Sequence, residues 1–390
     1  MRRADLPDGG LPDLCLKGAA VLTDDGLDLR PVSLSGGLIA AEGGRAVDAT
    51  GYLILPGIID LHGDGFEHHM APRRGAQTDP ALGLRAVEAE LAANGITTAV
   101  LAQFFSWEGG MRGPDFAETL ARAVSGHDGL TDLRVQLRLE ISLSDEFDRA
   151  RALIEAAGIG YVVLNDHLPH TALAQGRRPP RLTGQALKSG RAPEAHLALL
   201  QRLHDGLPAA RDALALLTNT LGARGVRLGS HDDSTPEDRA RFRALGADIC
   251  EFPETRAAAQ AARDAGEPVV MGAPNVVRGG SHDGKVRAGD LISDGLVTAL
   301  VSDYHYPSLH RAALKLWHSG MAMQDAWGLV SAGPAAIMGW HDRGRLAPGL
   351  RADMVVMDAE RHRIEGVFCA GRIAHLTGGL AARMIGAGCA

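Results

Sequence analysis

Short apolar runs alternate with longer segments of helical periodicity through the middle of the chain. The runs Tyr52–Leu61, Ile96–Phe104, Leu133–Ser142, Tyr161–Leu164, Val226–Gly229, Ala247–Phe252, Pro268–Met271 and Leu296–Ser302 predict eight strands. Helix punctuation recurs between them. Asp79-Pro80 opens a segment expected to carry Leu82, Val87 and Leu91 on one face, Asn94-Gly95 closes it, and Thr235-Pro236 and Pro253-Glu254 open two more. Strands alternating with helices over about 250 residues predict an α/β fold of the (β/α)8 barrel type, with catalytic groups at the C-terminal strand ends. The structural alternative, a doubly wound open sheet, lacks a GxGxxG after an early strand.

The flanks read differently. Leu14–Asp48 and Arg345–Ala374 are short alternating strands broken by Gly and Asp turns, as in Val21-Leu22-Thr23-Asp24-Asp25-Gly26. They are expected to pair into one discontinuous β-sandwich. The predicted division is 1–54 plus 344–376 for the sandwich, 55–343 for the barrel and 377–390 for a tail.

Composition narrows the function classes. The chain has 390 residues, 45% hydrophobic and 22% charged, enough for one large domain with a small companion. A net charge of −7 argues against nucleic acid or an anionic membrane as the main partner, so any phosphate binding must be local. Cys15, Cys250, Cys369 and Cys389 lack CxxC spacing, which suits packing roles in a reducing compartment. Asp5, Asp8 and Asp13 follow Met1-Arg2-Arg3 where a signal peptide would be apolar, and no run is long enough to span a membrane. A cytoplasmic location is expected.

Polar groups recur where the predicted strands stop. His62 and Asp64 stand two apart in Ile59-Asp60-Leu61-His62-Gly63-Asp64-Gly65, and strict alternation would put both on one face, able to share a cation. Glu140 closes the third run, Asn165-Asp166-His167 follows the fourth, Ser230-His231-Asp232-Asp233 the fifth and Ser302-Asp303-Tyr304 the eighth. Such a set at one end of one barrel predicts a metal site, with one or two divalent ions. Nitrogen and oxygen donors without thiolate suit zinc first, manganese or iron as alternatives, and Glu140 can bridge two ions.

Arg278, His282, Lys285 and Arg287 lie in a Gly-rich loop after the seventh strand, read as a phosphate loop; a solvated basic turn is the plainer reading. Arg73 and Arg74 can reach the same phosphates or lie exposed, and Asn275 can orient a phosphate or ribose hydroxyl or cap its turn. The segment Pro169–Ala192 is irregular and basic (Arg177, Arg178, Arg181, Lys188, Arg191), expected as a lid or a flexible insertion. His305 and His310 are left outside the ligand set, and Trp107, Trp317, Trp327 and Trp340 are read as packing residues.

The motif Leu55-Pro56-Gly57-Ile58-Ile59-Asp60-Leu61-His62 and the late turn Arg345–Asp353 resemble the amidohydrolase superfamily. His62-Gly63-Asp64, Glu67 through Pro72, Ser230 through Thr235 and Met271 through His282 resemble more closely a branch acting on a ribose 5-triphosphate in the carbon–phosphorus lyase pathway. The resemblance covers nearly the whole chain. It implies hydrolysis between the α- and β-phosphates of a ribose 5-triphosphate bearing methylphosphonate at C1, with release of pyrophosphate. By the same resemblance, His62 and Asp64 hold one ion, Glu140 bridges, His167 and His231 hold the other, and Asp303 handles the proton of the attacking water. Asp166 is the alternative to His167 as ligand. HxD in place of the commoner HxH, and no evident carbamylated lysine, set the chain apart from the usual pattern. Substrate contacts are expected from Arg278, His282, Lys285, Asn275 and Arg73. The expected partner is a small phosphorylated sugar, with no nucleic acid and no membrane; a homo-oligomer stays open. Two other readings remain: a C–N hydrolase of the same superfamily acting on a cyclic amide or an N-acetyl sugar phosphate, and a non-catalytic subunit of a phosphonate-processing complex.

Overall fold

The computed structural model describes residues 13–73, 76–280 and 284–386. Eight parallel strands form one sheet in which each pairs with the next: Ile58–Gly63, Ile96–Phe105, Asp132–Glu140, Tyr161–Asn165, Arg227–His231, Ile249–Glu251, Val269–Gly272 and Ala299–Val301. The eighth returns to the first through a parallel bridge between Gly63 and Asp303, which makes the sheet a barrel. Helices connect the strands and cover the outside, so both faces of each strand are buried and the strands read as near-continuous apolar runs. Among the described residues, no helix is long and apolar enough to cross a membrane.

The expected first strand, Tyr52–Leu61, divides in two. Tyr52–Pro56 pairs antiparallel with Met354–Asp358 in a separate sheet, and only Ile58–Gly63 enters the barrel. Gly57 makes the switch possible, because a Cβ there would fall 2.7 Å from Thr97 Cγ2. The sheet that Tyr52–Pro56 joins has six strands, contributed by 20–29, 52–56 and 354–376. A second sheet of four strands comes from 14–48, and the two enclose a common core that includes Leu14, Leu16, Val21, Ile54, Val356 and Phe368. The two ends of the chain therefore build one sandwich.

Two local expectations are corrected. The helix Pro80–Ala93 has Asp79 as its N-cap, but Leu82 is 59% exposed and the buried stripe is Leu84, Val87 and Leu91. Steps of three and four keep a helical stripe together, whereas the step of five from Leu82 to Val87 leaves it. The segment 169–192 is not irregular: it holds the helices His170–Ala174 and Leu182–Lys188 and leads into the long helix Pro193–Ala223. Leu168, Leu173 and Leu182 pack against Leu200, Leu203 and Trp107, so the insertion has its own small apolar core. Cys15, Cys250 and Cys369 are buried and free, while Cys389 lies outside the described residues.

Trp327, in the helix Met323–Gly328, is fully buried and donates its Nε1 proton to the Pro56 carbonyl at 2.9 Å, pinning the hinge between sandwich and barrel. Trp327→Ala removes this anchor and opens a cavity, with an expected loss of about 3–5 kcal/mol. The midpoint of urea unfolding measures it, and a midpoint equal to that of the unsubstituted protein would contradict the role given to this residue.

Candidate active site

The C-terminal ends of the barrel strands surround a cavity of about 320 Å³. Its wall includes Asp64, Phe104, Arg112, Arg138, His167, His231, Asp232, Phe252, Asn275, Arg278, Lys285, Asp303 and Tyr304. Three of these, Asp232, Phe252 and Asp303, have φ of 61°, 50° and 56° and follow the fifth, sixth and eighth strands. Side chains other than glycine adopt this left-handed backbone at a cost, so its recurrence around one rim is the mark of a built site.

His62 is buried at the end of the first strand. A bulge sets Asp60–Gly63 against Ala99–Leu101, one residue more on the first strand than on its neighbour. The strict alternation expected of His62 and Asp64 therefore does not hold. His62 points across the barrel, with Nδ1 2.8 Å from Glu251 Oε2, while Asp64 lies just beyond the strand, 3.7 Å from the Arg138 guanidinium. His62 Nε2 is buried without a hydrogen-bond partner.

Glu140 ends the third strand fully buried and outside the lining of the cavity. Its carboxylate meets the Nδ1 of His167 and accepts from the His167 backbone N–H at 3.2 Å. Burial opposes charge on His167, but the Glu140 carboxylate outweighs it and the imidazole pKa is raised. Of the pair Asp166 and His167, only His167 lines this cavity; Asp166 binds His170 Nε2 at 2.7 Å instead. His231 closes the fifth strand, stacked on His62 with ring centroids 5.3 Å apart, and burial pushes its pKa down to about 4. The turn that follows His231 is braced from below. Buried Arg239 pairs with Asp233 at 2.9 Å and Glu267 at 3.0 Å, and Ser230 Oγ donates to Asp233 at 2.6 Å. Asp303 follows the eighth strand; burial, together with the nearby Asp64, lifts its carboxyl to about 6.

The basic side brings Arg278 and Lys285 to the cavity. Arg278 donates to the Tyr304 hydroxyl at 2.8 Å, and Lys285 lies 2.5 Å from Glu254 and 3.5 Å from Asp232. Asn275 also lines the wall, but its amide is engaged by the backbone: Nδ2 donates to Val286 and Oδ1 accepts from Ala288, which holds the Lys285 loop in place. Arg73 is exposed and outside the lining; proximity in sequence to His62 does not bring it to the cavity. His282 and Arg74 fall outside the described residues. None of the five basic side chains of the 169–192 insertion lines the cavity; Arg191 donates to the Trp107 carbonyl and Arg178 pairs with Glu194.

Several residues here escaped the sequence reading. Glu251 ends the sixth strand, where counting strand ends would have found it. Along the third strand Gln136, Arg138 and Glu140 share one face while Leu137 and Leu139 pack outward on helices, so the polar face is the barrel interior. Arg138 and Arg112 both pack over the Phe104 ring, 3.8 and 4.3 Å from its centroid. Among the described residues, two groups of donors could each hold a cation, His62 with His231 and Glu251, and His167 with His231 and Asp232; within each, the ligand atoms lie within 4.8 Å of one another. His231 belongs to both, and Asp64 and Glu140 flank them through Arg138 and His167.

A profile of the Amidohydrolase family matches residues 81–367. Alpha-D-ribose 1-methylphosphonate 5-triphosphate diphosphatase of Escherichia coli (strain K12) is 32% identical over 337 residues, covering 82% of this chain and 87% of the relative. Among solved structures, N-acetylglucosamine-6-phosphate deacetylase from Pasteurella multocida superposes with a TM-score of 0.61 at 10% identity, covering 93% of this chain and 99% of that one. An adenosine deaminase from Xanthomonas campestris with bound zinc gives 0.53 at 15% identity, covering 96% and 97%. These two likenesses concern the fold alone. Matched by the profile over most of its length and by a curated relative across four-fifths of it, the chain belongs to the amidohydrolase family.

Proposed function

We propose that this chain is a metal-dependent hydrolase that cleaves the α–β phosphoanhydride of alpha-D-ribose 1-methylphosphonate 5-triphosphate, leaving the 5-phosphate and releasing pyrophosphate. The observation that carries the reading is the cavity wall itself, where Arg112, Arg138, Arg278 and Lys285 converge beside the histidine and carboxylate donors in a chain of net charge −7. A cluster of cations in an acidic protein marks an anionic ligand, whereas an uncharged amide would need none of them. The 32% identity to the Escherichia coli enzyme supplies the identity of that anion.

The donor set fits a divalent cation, since His62 Nε2 is buried without a partner and the neighbouring donors are nitrogen and oxygen only. His62, His167 and His231 would hold it, as one ion or two, with Asp232 or Glu251 the carboxylates that lie within reach of them and Asp64 and Glu140 those that the resemblance implies; zinc is expected ahead of manganese or iron. A cation held there supplies Lewis acidity, polarising a phosphoryl oxygen and acidifying water. The protein's own groups do the rest. Asp303, lifted toward neutrality by its burial, accepts the proton of the attacking water more readily than an ordinary carboxylate would. Arg278, beside Tyr304, and Lys285, beside Asp232, line the same cavity, where they meet the phosphates that leave. Phe104 backs Arg112 and Arg138 as a second cationic wall for the rest of the polyanion.

Purified protein supplied with this triphosphate should release pyrophosphate, lose the activity on dialysis against a chelator, and regain it with a divalent cation. Cleavage of a cyclic amide or an N-acetyl sugar phosphate, with no pyrophosphate released from the triphosphate, would sink the proposal. The profile of kcat/KM against pH should rise through one carboxylate limb at or below about 6, because Asp303 must be ionised to accept a proton and a cation beside it favours that form. Asp303→Asn should remove the limb and lower kcat about 10²- to 10⁴-fold; an unchanged profile would rule Asp303 out as the proton acceptor. Arg278→Ala should raise KM for the triphosphate about 10- to 100-fold, the loss of one charge-assisted contact, with steady-state kinetics as the measurement.

A further inference from the structure

The chain between the fourth and fifth strands folds into helices, yet no residue from 168 to 226 lines the cavity. A lid would have to touch the site it covers. The small apolar core of this segment is completed instead by Trp107, from the loop that leaves the second strand. Trp107 is 2% exposed, and Arg191 Nη1 donates to its carbonyl at 2.7 Å. Two residues on, the loop runs flush against the segment. A Cβ at Gly109 would fall 3.3 Å from Ser189 Cβ, and one at Gly110 would fall 3.2 Å from the Lys188 carbonyl oxygen. Their φ values of 71° and 58° demand glycine on their own account.

The same loop ends at Arg112 and leaves it little freedom. The Ser106 N–H donates to the Arg112 carbonyl at 2.9 Å, and the Arg112 N–H donates to the Gly109 carbonyl at 3.1 Å. Gln103 Nε2 closes the turn by donating to the Met111 carbonyl at 2.8 Å. A displacement of Trp107 or Gly110 therefore passes to the Arg112 backbone within one tight turn. At the far end of that side chain the guanidinium packs over Phe104, between Glu67 at 3.5 Å and Glu108 at 3.2 Å. Glu108 belongs to the loop as well, so the loop carries both this cation and one of the carboxylates that orient it.

We propose that the segment after the fourth strand is a brace for Arg112 and not a lid, with Trp107 and Arg191 as positioning residues that fix this cation where it meets the anionic substrate. The proposal rests on the reading of the cavity as a polyanion site given above, and adds the element that sets one of its walls. Loss of a hydrogen bond to a charged group costs about 10- to 100-fold in binding. A shift of about 1 Å, imposed from a distance, can cost as much.

The test compares binding of inorganic tripolyphosphate by calorimetry with steady-state kinetics on the ribose triphosphate, using the protein as purified. Arg112→Ala should weaken tripolyphosphate binding about 10- to 100-fold. Arg191→Met, which loses the clasp outside the cavity, and Gly110→Ala, which sets a methyl against the Lys188 carbonyl, should each weaken it about 10-fold. Both should raise KM in proportion and leave kcat unchanged. Arg191→Lys keeps a donor and should restore most of the affinity. Arg191→Met added to Arg112→Ala should cost nothing further, because both act through one side chain. Full additivity in that double variant, the outcome of a long-range effect of the Arg191 charge, would overturn the brace. So would unchanged affinity in folded Arg191→Met and Gly110→Ala, or in Arg112→Ala itself. Pyrophosphate release is read on the unsubstituted protein alone, so the reaction can fail while calorimetry still decides the brace, and the brace can fail while the reaction stands.

Discussion

A parallel sheet of eight strands has two open edges unless the first and last strands meet, and here they meet through very little. Asp303 donates its backbone N–H to the His62 carbonyl at 3.0 Å, and Asp64 donates to the Asp303 carbonyl at 2.8 Å. Beside them the buried Asp60 carboxylate accepts from the Ser302 backbone at 3.0 Å and from its hydroxyl at 2.5 Å. The residues that close the barrel are those that line its mouth, or their immediate neighbours. Closure and site geometry are consequently one constraint, and a change that loosens either edge moves His62, Asp64 and Asp303 relative to one another.

Charge placement follows from that geometry. Asp64, Asp232 and Asp303 all line the cavity, an arrangement that repels a polyanion and adds to the lift that burial gives the Asp303 carboxyl. Arg112, Arg138, Arg278 and Lys285 share the same walls and offset it. Some of these cations are already committed to carboxylates, Arg112 to Glu67 and Glu108 and Lys285 to Asp232 and Glu254. The site is therefore a lattice of partnered charges, in which an anion is met by exchanging partners rather than by bare attraction.

The parts legible in the sequence share a physical reason. Strand ends of a barrel converge, so His62, Asp64, Glu140, His167, His231 and Asp303 were visible as polar residues at the ends of apolar runs. Glu251 was passed over because the expected run Ala247–Phe252 continues one residue beyond it, whereas the strand itself stops at Glu251. Arg138 was hidden by the opposite habit. Alternating Leu and Arg reads as a strand with one wet face, whereas in a barrel covered by helices the polar face is the interior. Arg73 misled because it follows His62 closely, yet the chain turns away before reaching the cavity. The insertion after the fourth strand looked irregular because its helices are short, and their stability comes from Trp107, Leu200 and Leu203 rather than from local periodicity.

The run from Tyr52 to Gly63 belongs to both halves of the molecule, its first part to the sandwich and its second to the barrel. The strand that pairs with its first part, Met354–Asp358, lies about 300 residues further along the chain. At synthesis rates of roughly 5–20 residues per second, an apolar strand would wait on the order of 15–60 seconds for that partner. During this interval Tyr52-Leu53-Ile54-Leu55 is an exposed sticky edge, and productive folding competes with aggregation for it. For a nascent chain of this design, that unpaired edge is a hazard which the stability of the finished barrel does nothing to reduce.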